Sequence, residues 1–144
     1  RGGQENEGLG RGCGGFSSKI HARVDALGMP LAFIITGGEQ HDVVQAGNLV
    51  EPHSCAYLLA DRGYDSDAFR QNLIAKNAIP VIPGRKNRLH SIEYDRHIYK
   101  ERNAVERFFG RLKEFRRIAT RYDKTALMFR GALLFAAIFI WCKL

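Results

Sequence analysis

Residues 56–67 read AYLLADRGYDSD, and this stretch decides the fold class. The apolar run from Ala56 to Ala60 is too short for a helix and stops at a carboxylate, Asp61. That is the pattern of a strand buried on both faces of an α/β sheet, with its polar end at the sheet's carboxyl edge. Gly63 turns the chain, Asp65 or Ser66 is placed to cap, and residues 67–77 carry helical spacing. Ligands of open α/β sheets collect beyond the carboxyl ends of strands, so Asp61 stands where chemistry is expected. Taken alone, it reads equally well as a turn or capping carboxylate. Asp65 and Asp67 read as turn and capping residues.

Downstream, residues 79–82 form another short strand, and the prolines at 80 and 83 favour a sheet edge. Residues 84–97 are a basic loop, residues 99–120 one long helix, and residues 124–144 a second helix that is apolar towards its end. Upstream, the apolar runs 19–24 and 31–36 flank the turn-prone DALGMP, which predicts a β-hairpin, and residues 42–50 make a short helix leading through Pro52. Residues 1–15 hold seven glycines and almost nothing apolar, so they are expected to be a flexible segment ahead of one folded domain over 16–144. The element order predicts a mixed sheet flanked by helices.

The charge is unevenly spread. Residues 85–124 contain thirteen Lys or Arg against six Asp or Glu, which equals the net +7 of the whole 144-residue chain. A basic character confined to one stretch suits an anionic partner such as nucleic acid. Cys13, Cys55 and Cys142 are odd in number, far apart and in no metal-ligand spacing, so neither a disulfide framework nor a zinc site is implied. The apolar run ALLFAAIFIWC over 132–142 is eleven residues, well short of the roughly 20 that span a bilayer, so a buried terminal helix is expected. The chain opens on Arg1 without a secretory pattern, which reads as a fragment of a cytoplasmic protein.

On a helical wheel Tyr99, Arg102, Glu106 and Lys113 fall within a stripe about 60° wide. Val105, Phe108, Phe109, Leu112 and Phe115 form the apolar face beside it, while Arg107, Arg111 and Glu114 lie on the solvated side. A carboxylate bordering a buried face, with an aromatic hydroxyl and two cations on its own stripe, suits a metal ion together with phosphate. The alternative is a helix laced with ion pairs such as Arg102 with Glu106.

The spacing Tyr99-x2-Arg102-x3-Glu106-x6-Lys113 resembles, without a gap, the signature of bacterial DDE transposases of the insertion-sequence-four superfamily, and YKERNAVERFFGRLKEFRRIATRYDK resembles its insertion-sequence-five branch. LLADRGYD over 58–65 is similar to the segment carrying the family's second catalytic aspartate, and Ser18-Lys19-Ile20-His21 to the hairpin before it. The similarity extends over nearly all of residues 11–142.

The resemblance implies an RNase H-like fold in which three carboxylates hold two divalent metals, Mg²⁺ with Mn²⁺ as a substitute. Asp61 would be the second carboxylate and Glu106 the third, both catalytic and both metal ligands. They would serve phosphodiester hydrolysis and transesterification at insertion-sequence ends. Tyr99, Arg102 and Lys113 would grip DNA, with Arg116 and Arg117 adding phosphate contacts. The implied partners are transposon-end and target DNA, a second copy in a homodimeric complex, and a missing N-terminal segment or upstream frame product. The implied location is the bacterial nucleoid. The family's first aspartate lies on a strand before the Gly-rich segment, so the first strand is expected to be missing and the fragment alone inactive. Asp25 sits in the hairpin turn and is not expected to replace it.

Other residues carry weaker signals. Asp42 of the His41-Asp42 pair is expected to cap the next helix. His21 is expected to be a hydrogen-bonded structural residue. Arg121 joins Arg116 and Arg117 as a candidate phosphate contact, and Tyr122 either stacks on a base or packs at the helix junction. GRGCGG precedes a strand rather than opening a helix, unlike a nucleotide-binding loop. Two other functions compete: a nucleic-acid-binding module without chemistry, and a junction resolvase, for which the Tyr-Arg-Glu-Lys stripe would be superfluous.

Overall fold

The computed structural model describes residue 8 and residues 10–12, 15–51, 54–121 and 123–143. The expectations attached to Cys13, Pro52 and Tyr122 fall outside them, as does much of the Gly-rich segment. The chain is mixed α/β and divides into two compact units, residues 1–40 with 104–144, and residues 41–103. The described strands form two separate ladders, one within each unit, where a single mixed sheet was expected.

The first unit begins with β1 (Gly10–Gly12), which pairs antiparallel with the start of β2 (Gly15–Val24), so part of the segment expected to be flexible is a strand. β2 continues into an antiparallel hairpin with β3 (Pro30–Gly37), confirming the reading of residues 19–36. Asp25 organises the turn: its Oδ1 accepts from the Leu27 N–H at 2.9 Å and the Met29 N–H at 2.8 Å. Gly28 takes φ +80°, a left-handed conformation that costs glycine nothing. Its carbonyl accepts from Arg111 Nη2 at 2.8 Å, so Arg111 ties the hairpin to a helix instead of facing water as the wheel suggested.

The expected helix over 99–120 is interrupted. Arg96–Tyr99 forms α3, Lys100–Arg102 a 3₁₀ turn, Asn103–Lys113 α4 and Arg116–Ala119 α5. The break follows from Phe115, which leaves helical geometry at φ −80° and ψ 101° and packs against the hydrophobic core and edge-on to Phe139. The apolar face of α4 is otherwise as the periodicity predicts, with Ala104, Phe108 and Leu112 buried. Phe108 lies 5.8 Å from the Phe33 ring of β3, and the core is completed by Ile118 and by α6 (Ala126–Trp141) through Phe129, Leu133 and Ile140. Thr125 caps α6 by accepting from the Met128 N–H at 3.3 Å. The expectation that this terminal helix is buried holds for one face only. Phe135 and Ile138 are 68% and 61% exposed, because a helix packed against one layer covers one stripe.

The second unit opens with a 3₁₀ turn (Asp42–Gln45) and α1 (Ala46–Val50). β4 (Tyr57–Leu59) pairs in parallel with β5 (Ile79–Val81), and the helix between them is α2 (Asp67–Ala75). β4 is not buried on both faces as expected. Tyr57 is exposed while its neighbour Leu58, on the opposite face, packs on the unit's core, so among the described residues one face of the strand is covered. Ser66, rather than Asp65, caps α2, accepting from the Phe69 N–H at 3.1 Å. The helix ends in a left-handed Asn77 (φ 58°), with the Asn77 and Ala78 N–H groups bonded back to Ile74 and Leu73. Phe69, Leu73, Ala78 and Ile82 form the unit's core, with Leu58 and Tyr64 packed on it. Among the described residues no helix is long and apolar enough to cross a membrane.

Candidate active site

Asp61 follows β4 and opens a 3₁₀ turn (Arg62–Tyr64). Its Oδ1 accepts from the Gly63 N–H at 2.8 Å, and the residue is exposed. Gly63 lets both carboxylates approach the turn closely. A Cβ at this position would lie 2.6 Å from Asp42 Oδ2 and 3.0 Å from Asp61 Oδ1. Two carboxylates thus close on one glycine, a hollow that a side chain would fill.

Asp42 does not occupy the cap position expected of it. His41 occupies the cap position without a side-chain bond, and Asp42 lies one residue inside, facing the turn at 62–64. The Tyr64 hydroxyl beneath them is pushed above its usual pKa by burial and then by the negative charges of Asp42 and Asp61, so it stays protonated. The His-Asp pair is visible in the sequence, but its convergence with residue 61 is not, because eighteen residues of irregular spacing lie between Asp42 and Asp61.

Asp65 is the larger surprise. The sequence marks it as a turn residue, yet it is 2% exposed and the hub of a buried charge network. It accepts from Arg70 Nε at 2.9 Å, from Arg88 Nε at 2.6 Å and Nη2 at 3.0 Å, and from the Arg85 N–H at 2.8 Å. Arg70 also donates to the Ile82 carbonyl at 2.7 Å, and Arg88 to Asp67 at 2.7 Å. Burial pushes the Asp65 carboxyl up, but the Arg88, Arg85 and Arg70 hydrogen bonds outweigh it and hold the group at about 2. Asp67 is an exposed ion-pair partner of Arg88 in the first turn of α2.

The other expected site residues fall in both units. In the second, Arg102 lies 5.6 Å from the centre of the Tyr99 ring, and Tyr94 meets Tyr99 edge-on at 5.3 Å. In the first, Glu106 and Lys113 are exposed on α4, seven residues and so about two turns apart on one face. Arg116 is exposed with no side-chain partner among the described residues. Arg117 commits two donors to Asp123, with Nη2 to Oδ1 at 2.6 Å and Nε to Oδ2 at 3.1 Å. Arg121 donates to the Asp123 carbonyl at 3.1 Å, bonds the Ser18 hydroxyl and covers the Phe129 ring, so it too is built into the fold. His21 bonds Thr36 Oγ1 at 3.0 Å inside the hairpin, the structural role expected of it. Among the described residues no three His, Cys, Asp or Glu side chains gather as a metal cage, and Cys55 and Cys142 are free thiols.

The Transposase DDE domain family matches residues 2–141. A protein of Brucella ovis named "Putative transposase for insertion sequence element IS6501" is 38% identical over 132 residues, covering 88% of this chain and 99% of that protein. One of Burkholderia cepacia named "Putative transposase for insertion sequence element IS402" is 34% identical over 121 residues, covering 76% of this chain and 55% of that protein. The chain thus spans about the full length of the first relative and about half of the second. No solved structure matches.

Proposed function

The chain belongs to the DDE transposase family, and from that premise we propose that it takes part in metal-dependent cleavage and joining of DNA at insertion-sequence ends. Asp61 and Glu106 are the second and third carboxylates of this reading. The observation that carries it is the family match, which spans both residues, together with the exposed Asp61 carboxylate at the end of β4. The fold it implies is RNase H-like. The two ladders, an antiparallel hairpin and a parallel pair, are compatible with part of such a sheet.

The donor chemistry fits a hard divalent cation such as Mg²⁺. Carboxylate oxygens are its preferred ligands, and at Gly63 no Cβ stands beside the carboxylates of Asp61 and Asp42. Bound there, such cations would polarise the scissile phosphate and stabilise charge on the attacking and leaving oxygens. Tyr99, Arg102 and Lys113 hold the DNA strand and Arg116 meets a neighbouring phosphate, whereas Arg117, whose fork is held by Asp123, serves the fold instead. Asp61 and Glu106 are two of three required carboxylates. We take the remaining one to come from a segment or chain outside these 144 residues, and the working assembly to be a homodimer at the nucleoid. By this reading the 144-residue chain alone binds metal weakly and does not join DNA.

Calorimetric titration with Mn²⁺ tests the assignment. Weak binding that disappears in both Asp61→Asn and Glu106→Gln is expected. Metal uptake indifferent to both substitutions, with DNA binding intact, would instead identify a nucleic-acid-binding module without chemistry.

A further inference from the structure

The loop at 84–88, GRKNR, is a concentration of cations that the carboxylate site does not use. In the parallel β4–β5 pair both strands run the same way, so the turn after β4 and the loop after β5 leave from one edge of the ladder. Asp65 ties the two together, taking the Arg85 N–H and the Arg88 guanidinium. Arg88 is thereby turned inward. Arg85 is turned outward: its side chain is exposed and lies over the Asp61 turn, with Nη2 donating to the Gly63 carbonyl at 3.2 Å and Nε to the Arg62 carbonyl at 3.4 Å.

Those two bonds use two of the five guanidinium N–H groups and fix the plane of the fork, leaving three donors for an acceptor from solvent. Lys86 and Arg62 are also exposed, and neither has a side-chain partner among the described residues. Three cations therefore stand on the two segments that frame Asp61, and one of them is already oriented. Counting Asp61, the group is net positive. A phosphodiester approaching the carboxylate would be repelled by it, and cations held on the same turn offset that repulsion.

We propose that Arg62, Arg85 and Lys86 form a phosphate-contact patch for the DNA backbone beside Asp61, pre-shaped by the buried Asp65. The patch uses none of Tyr99, Arg102 and Lys113. It deepens the DNA-processing reading above and rests on it for the identity of the nucleic acid, but not on metal binding.

The test is the salt dependence of duplex DNA binding by the 144-residue chain, followed by fluorescence anisotropy in EDTA. Each backbone contact contributes a slope of about −0.9 in log K against log salt, so Arg85→Ala/Lys86→Ala should flatten the slope by about 1.8. Lys86→Glu, a change at an exposed side chain with no polar partner among the described residues, should weaken binding without altering the circular dichroism spectrum. An unchanged slope in the double variant overturns the patch. So does an equal flattening in the control Lys76→Ala/Lys124→Ala, which would show a response to net charge alone. Full competition by inorganic phosphate at equal phosphate concentration would also overturn it, showing an anion site rather than a backbone track. Because no divalent metal is present, each of these results leaves the Mn²⁺ titration to decide the carboxylate assignment separately.

Discussion

Replacing Asp65 with alanine should unfold the 41–103 unit more readily than any substitution of an exposed carboxylate. Asp65 is 2% exposed and Arg70 beside it 8%. Without the carboxylate, Arg70 keeps the Ile82 carbonyl as an acceptor but loses its counter-charge. Breaking a buried ion pair from one side costs about 3–5 kcal/mol, because the remaining charge is stranded in a poor solvent. Against a total stability of about 5–15 kcal/mol that is a third or more. Asp65→Asn retains one oxygen acceptor and should lose less.

Urea unfolding followed by far-ultraviolet circular dichroism measures the loss as a lower midpoint at unchanged slope. The pH dependence gives an independent check. The folded Asp65 carboxyl is held at about 2, below the 3.8 ordinary for an aspartate, so its stabilising contribution is complete above that unfolded value. It fades as the pH falls from 3.8 towards 2. The stability difference between the native chain and Asp65→Asn should therefore be flat from neutral pH to about 4.5 and shrink only below that. A cost under about 1 kcal/mol for Asp65→Ala, or a difference that already shrinks at pH 6, would refute the charge-hub reasoning.

Two further outcomes follow from the other unit. Phe108 is fully buried between β3 and α6, so Phe108→Ala should cost about 3–5 kcal/mol in the same urea experiment. Arg116 and Arg117 are neighbours with opposite duties: Arg116→Ala should weaken DNA binding with the melting temperature unchanged, and Arg117→Ala should lower the melting temperature by releasing Asp123.

What could be read in the sequence was local. The hairpin was legible because two apolar runs flank a turn whose Asp25 and Gly28 perform the roles their residue types suggest. The core face of α4 was legible from its 3.6-residue period. The helix break at Phe115 was not, since no glycine or proline marks it. The cause is packing against residues such as Phe139, more than twenty positions away. Asp65 was misread for the same reason. Its partners Arg85 and Arg88 lie twenty and twenty-three residues downstream, and only the return of the chain along β5 brings them in. Recognition of Asp61 and Glu106 came from motif resemblance, not from anything that periodicity alone could separate from turn and ion-pair roles.

The same distinction governs how the basic stretch should be understood. Counting residues gives an excess of seven positive charges over 85–124, as though all of them faced a partner. The structure divides them. Arg88, Arg111, Arg117 and Arg121 donate to acceptors within the protein, and two of these acceptors are the buried carboxylates Asp65 and Asp123. Lys86, Lys113 and Arg116 are exposed, and Arg85 does both, bracing the Asp61 turn while presenting its remaining donors. A guanidinium already neutralised by a buried carboxylate releases no phosphate counterion when DNA arrives, so it adds stability but no salt-dependent affinity. The DNA-binding strength of this chain should therefore track the few outward cations around Asp61 and along α4, and not the formal charge of the region.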